Sequence, residues 1–270
     1  VSPAASSVGG RVTWLGHASA VAELGGGRVL FDPLLPWRAR RAGRVDAVLV
    51  THAHVDHLNR WSLRAVDRST HLVVPRGARG LVDDLGFARV TEMTAGDQLA
   101  IGDLEVTAVP TRHDNGRWSK QSSPECCGYV VRGGGVAVHH AGDIDFSDHA
   151  VFDAIGKQFP DLDATLLPIG GMMPVAWYRR RRHLLDRGVH IDPDCALDIY
   201  ERLGARTLVP VHWGTVHLFF RFRAPVRRLA AVAAARNVPT VRVLAHDEAL
   251  DLRGDLRAGS DHTDQRHTTP

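Results

Sequence analysis

The 270-residue chain is 44% hydrophobic and 23% charged, with a formal net charge of +3. A chain of that length buries a sizeable core, and so small a positive surplus argues against a surface built to hold nucleic acid. Three cysteines, Cys126, Cys127 and Cys195, form neither a disulfide framework nor a C-x-x-C zinc pair.

In chain order, the first apolar β-branched run, 12–14, leads into "WLGHAS" with His17, and the second, 29–31, ends on "LFDPLL" with Asp32. The run 45–50 opens directly onto "THAHVDHLN". Beyond it, 61–68 and 78–85 are helix candidates flanking a strand at 72–74. The run 104–109 reaches "TRHDN" with His113. The runs 129–131 and 136–138 bracket the Gly133–Gly135 turn and lead to "HHAGDID" with Asp143. After a strand at 165–167, "GVHIDPD" places Asp192 as an N-cap and Pro193 as the first residue of a helix over 194–203. Ala196, Ile199, Tyr200 and Leu203 form its buried face. A strand at 207–211 runs into His212, a helix spans 225–235, and a last strand is expected at 241–244. The pattern is that of an α/β chain, read as one domain over 1–253 with a disordered polar tail at 254–270. No window approaches the roughly 18 apolar residues of a membrane span, and the start lacks a signal-peptide pattern, so a cytoplasmic location is expected.

His52, His54, Asp56, His57, His113, Asp143 and His212 all follow strands directly, where loops of α/β folds converge on ligands. His52 and His54, two apart in an extended loop, aim the same way, and the turn through Asp56 and His57 lets one loop serve two neighbouring metal positions. Imidazole and carboxylate donors without a thiolate suit a borderline cation such as zinc. Neither a G-x-S-x-G elbow nor a recognised cysteine motif supplies a nucleophile.

The series T-H-x-H-x-D-H, "TRHDN", "HHAGDID" and "PVHWGT", in that order, resembles the metallo-β-lactamase-fold hydrolases. The resemblance implies a four-layer αββα sandwich. It also implies two divalent metal ions, zinc first with manganese or iron as alternatives. His52, His54 and His113 would hold one ion and Asp56, His57 and His212 the other, with Asp143 bridging. It further implies hydrolysis by a metal-bridging hydroxide, with Asp56 also accepting a hydrogen bond from the attacking water.

"WLGHAS", "HIDPD" and "VHWGT" resemble the branch of N-acyl-phosphatidylethanolamine-hydrolysing phospholipase D, whereas the related L-ascorbate-6-phosphate lactonase-like branch shares the metal set but lacks the His of "GHAS". That likeness implies His190 as a catalytic or substrate contact, and His17 and Asp32 as residues supporting the ligands. One of His139 and His140 is expected to support the Asp143 loop. Asp114 stands after His113 where the phospholipase pattern has Trp. The expected substrate is a phosphodiester or phosphorylated small molecule, lipid-like and anionic. A lactone or other carboxylic ester is the alternative within the enzyme class. A nuclease on the same fold, or a metal-binding protein without catalysis, are the alternatives from other classes. The stretch 172–188 reads either as a solvated helix face or as a lid whose Arg179–Arg182 run attracts an anionic head group or membrane surface. Nothing in the sequence sets the oligomeric state.

Overall fold

Strict alternation in the N-terminal strands decides the architecture. In β2, Ser19–Leu24, the residues Ala20, Ala22 and Leu24 join one core cluster and Val21 another. In β3, Gly27–Phe31, Val29 and Phe31 part from Leu30 in the same way. The short β4, Ala47–Leu49, and β5, His71–Pro75, repeat the pattern. Side chains on a strand point to opposite faces in turn, so a sheet buried on both faces must be covered on both.

The computed structural model describes residues 9–113, 124–144, 149–170, 180, 190–216 and 222–252. The remaining strands are β1, Gly10–Gly16; β6, Arg89–Met93; β7, Gln98–Ile101; β8, Leu104–Pro110; β9, Cys127–Gly133; β10, Val136–His140; β11, Ala164–Pro168; β12, Leu208–Val211; and β13, Ala249–Leu252. Seven strands form one sheet in the order β13-β1-β2-β3-β4-β5-β6, and six form the other in the order β12-β11-β10-β9-β8-β7. The larger core cluster fills the space between the sheets and continues under the helices of the second, and the smaller lies on the outer face of the first.

Helices α1, Pro36–Arg41, and α2, Arg60–Leu63, cover that outer face through Ala39 and Leu63. Helices α3, His149–Gln158; α4, Pro193–Leu203; and α5, Ala224–Ala235, pack on the second sheet, with α4 between the other two and against β11. Phe152, Ile155, Ala196, Ile199 and Leu229 carry this packing. The result is helix, sheet, sheet, helix. The Asp192 side chain accepts from Cys195 N at 2.9 Å and caps α4, and Ala196, Ile199, Tyr200 and Leu203 are its buried face.

Several local expectations are corrected. The helix over 61–68 shrinks to the single turn of α2, and 78–85 forms two 3-10 turns, Arg79–Leu81 and Asp83–Leu85, ended by Gly86 at φ 74°. The strand at 241–244 is one isolated bridge, Leu208 to Val241. The proposed tail at 254–270 lies outside the described residues, as does 172–188 apart from Arg180. Among the described residues no helix is long and apolar enough to cross a membrane.

Strand direction places the site. β1 and β3 are each antiparallel to β2, and β4 is parallel to β3, so β1, β3 and β4 run the same way. β8 and β10 are each antiparallel to β9, and β11 and β12 continue parallel to β10, so β8, β10 and β12 also share a direction. The C-terminal ends of these six strands carry His17, Asp32, Thr51–His57, His113, Asp143 and His212.

Candidate metal centre

Two groups of donors converge at this edge. His52, His54, His113 and Asp143 form the first, and His17, Asp56, His57 and His212 the second. Within each group the donor atoms lie within 4.8 Å of one another.

In the first group His54 Nδ1 is 3.0 Å from His52 Nε2 and 3.1 Å from His113 Nε2. One hydrogen can satisfy one such contact, whereas a cation satisfies them all. Donors around a tetrahedral ion with bonds of 2.0–2.1 Å sit about 3.3 Å apart, close to this spacing. In the second group Asp56 Oδ2 is 2.9 Å from His17 Nε2, 3.5 Å from His212 Nε2 and 3.8 Å from His57 Nε2. Asp143 stands between the groups. Its Oδ1 is 3.2 Å from His212 Nε2 and 3.4 Å from His57 Nε2, and its Oδ2 is 3.8 Å from both His52 Nε2 and His113 Nε2. Among the described residues, the buried His57 Nε2, His212 Nε2 and Asp143 Oδ1 have no hydrogen-bond partner. Leaving such groups unmade costs about 1–3 kcal/mol each, a cost that a coordinated cation removes. Nitrogen and carboxylate donors of this kind fit a divalent metal ion.

The rear nitrogens of these rings are fixed by neighbours. The buried Asp32 carboxylate lies 2.7 Å from His57 Nδ1 and accepts from Thr51 N at 2.8 Å and Thr51 Oγ1 at 2.7 Å. His212 Nδ1 donates to Gly170 O at 3.0 Å, and His52 Nδ1 is 3.0 Å from Thr51 Oγ1. Such partners set which ring nitrogen faces the site. The loops of β4 and β10 can approach only because residue 142 is glycine. It has φ 65°, and a Cβ there would sit 2.7 Å from the Thr51 Cβ.

His190 enters from the residues before α4. Its Nδ1 is 3.5 Å from Asp143 Oδ2, and its ring lies 5.1 Å from that of His113 and 5.2 Å from that of His212, centroid to centroid. Of the two histidines on β10, His140 ties the site loops together. Its Nε2 donates to Ala18 O at 2.8 Å and its Nδ1 accepts from Gly142 N at 3.2 Å. His139 instead meets Thr165 Oγ1 at 2.8 Å. The supporting roles of Thr51, Thr215 and the Gly170 carbonyl are ones that sequence reasoning did not assign. Thr51 opens the T-H-x-H-x-D-H motif and Thr215 closes "VHWGT", but the contacts of Thr51 to Asp32, of Thr215 to His17 and of Gly170 to His212 cross between strands and leave no local pattern.

Charge divides the two groups. Burial works against a proton on His57, yet Asp143, Asp32 and Asp56 together hold its pKa well above the ordinary value. Burial likewise opposes charge on His212, but Asp143 and Asp56 raise it to about 10. Burial would raise the Asp56 pKa, but the surrounding His57, His17 and His212 hold it below the usual carboxylate range. Burial would also raise Asp143, and His212, His57 and His190 keep it low. In the first group burial, joined by neighbouring imidazoles, lowers His52 and His54. Burial also pushes His190 down to about 3 and His17 to about 4.

The family model described as "Beta-lactamase superfamily domain" matches residues 27–213. A metal-dependent hydrolase of Methanopyrus kandleri is 31% identical over 215 residues, covering 76% of this chain and 84% of the relative. N-acyl-phosphatidylethanolamine-hydrolyzing phospholipase D 1 of Caenorhabditis elegans is 26% identical over 237 residues, covering 75% of this chain and 63% of that protein. Among solved structures, a metallo hydrolase from the archaeon Ignicoccus hospitalis superposes with a TM-score of 0.69 at 21% identity. That match covers 91% of this chain and 99% of the other, a likeness of fold.

Proposed function

The chain belongs to the beta-lactamase superfamily and is a metal-dependent hydrolase, and from that premise we propose that it uses two divalent metal ions to cleave a phosphodiester or phosphorylated small molecule. His52, His54 and His113 would hold one ion, Asp56, His57 and His212 the other, and Asp143 would be shared between them. The observation that carries this reading is the placement of Asp143, with one carboxylate oxygen toward each histidine group. When bound, such ions would acidify water, to a pKa of about 7 for a zinc-bound one, and would stabilise charge on the attacking and leaving oxygens of a displacement. Zinc fits the imidazole-rich donor set, and metal analysis separates it from manganese and iron.

The protein's part is positioning. Asp32 and the Gly170 carbonyl lock His57 and His212 with their Nε2 atoms inward. Asp56, whose side chain is 20% exposed, is the acidic group of the second set that solvent reaches, and it accepts a hydrogen bond from the incoming water. His190, kept neutral by burial, donates one hydrogen bond to an anionic oxygen of the substrate beside Asp143. The C. elegans relative named for a phospholipid substrate supports a lipid-like anionic substrate here.

The test is metal analysis of purified protein followed by turnover of phosphodiester, phospholipid and lactone panels. Two ions per chain and phosphodiester cleavage are expected. Cleavage confined to lactones or carboxylic esters would overturn the substrate class. His190→Ala should lower phosphodiester turnover by on the order of 10²-fold or more with metal content unchanged. Wild-type turnover in that variant would remove the role of His190.

A further inference from the structure

His17 lies outside the seven donors assigned above, at the end of a different strand, yet of the three imidazoles of its group it is the nearest to Asp56. Its Nε2 is 2.9 Å from Asp56 Oδ2, against 3.5 Å for His212 Nε2 and 3.8 Å for His57 Nε2. Its ring centroid is 4.0 Å from that of His212 and 5.9 Å from that of His57. Three imidazole nitrogens therefore surround one carboxylate oxygen, all inside the 4.8 Å limit of one donor group. The His17 ring is fully buried.

The backbone around His17 is held in place against its own preference. Its φ is 52°, in the left-handed region, which costs a non-glycine residue roughly 1 kcal/mol. The conformation persists because the peptide is tied at both ends. His17 N donates to Thr215 Oγ1 at 2.9 Å, and His17 O accepts from His212 N at 2.8 Å and from Trp14 Nε1 at 2.9 Å. Two of these ties come from the segment that carries His212, so His17 and His212 are placed as a unit. Strained residues fixed by several independent contacts cluster at functional sites.

We propose that His17 is itself a ligand of the second metal position, through Nε2, and does more than steady Asp56. This rests on the two-ion reading. The second position then has five protein donors, His17, Asp56, His57, His212 and the shared Asp143, while the first has four. The two positions are inequivalent: the first suits a tetrahedral ion, and the second an ion accepting five or six ligands.

The experiment is titration of metal-depleted protein with Co²⁺, following stoichiometry, affinity and visible absorption, for wild type, His17→Ala and His17→Asn. Asparagine tolerates the left-handed backbone and keeps a hydrogen-bond donor, but offers no imidazole. Expected is unchanged affinity for the first ion in both variants, which also reports an intact fold. Expected too is at least a tenfold loss for the second ion, with stronger visible bands as its coordination number falls. If both variants bind the second ion with wild-type affinity and spectrum, His17 is not a ligand. If only His17→Ala loses it and His17→Asn matches wild type, His17 acts by orienting Asp56 and the proposal fails. A wild-type stoichiometry of one ion would overturn the two-ion reading itself, and this proposal with it.

Discussion

The two donor groups share one loop and differ in the backbone that completes them. Each draws two donors from the loop after β4, whose Val55 is 80% exposed: His52 and His54 for the first, Asp56 and His57 for the second. Each has three buried donors and one half-buried, and in the second His17, His57 and His212 are completely buried. Of five described non-glycine residues with positive φ, His17, Asp32 and His212 belong to or support the second group, and none belongs to the first. Strain of roughly 1 kcal/mol at each of those residues is offset by crossed hydrogen bonds such as Asp32 to Thr51 and His57. The difference teaches that the shared loop serves both groups alike, and that the second is the one completed by backbone held in strained conformations.

Four measurements would break or sharpen that contrast. Removing what the groups share should have the largest effect: Asp143→Ala is expected to empty both positions and reduce turnover to background, read by metal analysis and assay. Retention of two ions would show that Asp143 bridges nothing. Asp32→Ala should act mainly on the second group, because Asp32 touches His57 directly and reaches His52 only through Thr51. It leaves Thr51 and His57 without their acceptor and should cost about 3 kcal/mol in denaturant unfolding. The second ion should weaken more than the first, and equal weakening of both would abolish the contrast.

Protons should report the same asymmetry. In metal-free protein at pH 8, His57 and His212 keep their protons because their pKa values are raised, that of His212 to about 10. His52 and His54, shifted down, are already neutral. A metal takes the lone pair, so filling the second position should release roughly two protons and the first almost none. Release falls as pH rises through the folded pKa, and equal release from both positions would contradict the charge pattern. The smallest effect is at the cap of α4, two residues beyond His190. Asp192→Ala removes the α4 cap and should cost about 1 kcal/mol without changing metal content.

Legibility in the sequence followed how local each feature is. The α4 cap and buried face could be read because Asp192, Pro193 and a 3.6-residue pattern lie within one short segment. Strands β3, β5, β8 and β10 announced themselves by β-branched runs, whereas β2, "SAVAEL", is alanine-rich and gains its place from pairing with β1 and β3. Edge strand β6, "RVTEM", and the short α1 gave too few apolar positions to show a period. The run 241–244 looked like a strand, yet Val243 is 41% exposed and its pairing is confined to one bridge, Val241 to Leu208, with Arg242 N donating to Leu208 O.

By itself the sequence determined the kinds of donors and their placement after strands, because a strand followed at once by H-x-H-x-D-H is a short-range statement. The residue pattern left open which donors lie together; the family resemblance implied a division, and tertiary structure adds His17 to the second group. His17 and Asp56 are 39 residues apart and meet through strand order and direction. Asp143 faces both groups only because the second sheet packs across from the first. Non-local pairing of this sort is fixed by the burial of both sheet faces, and no window of sequence contains it.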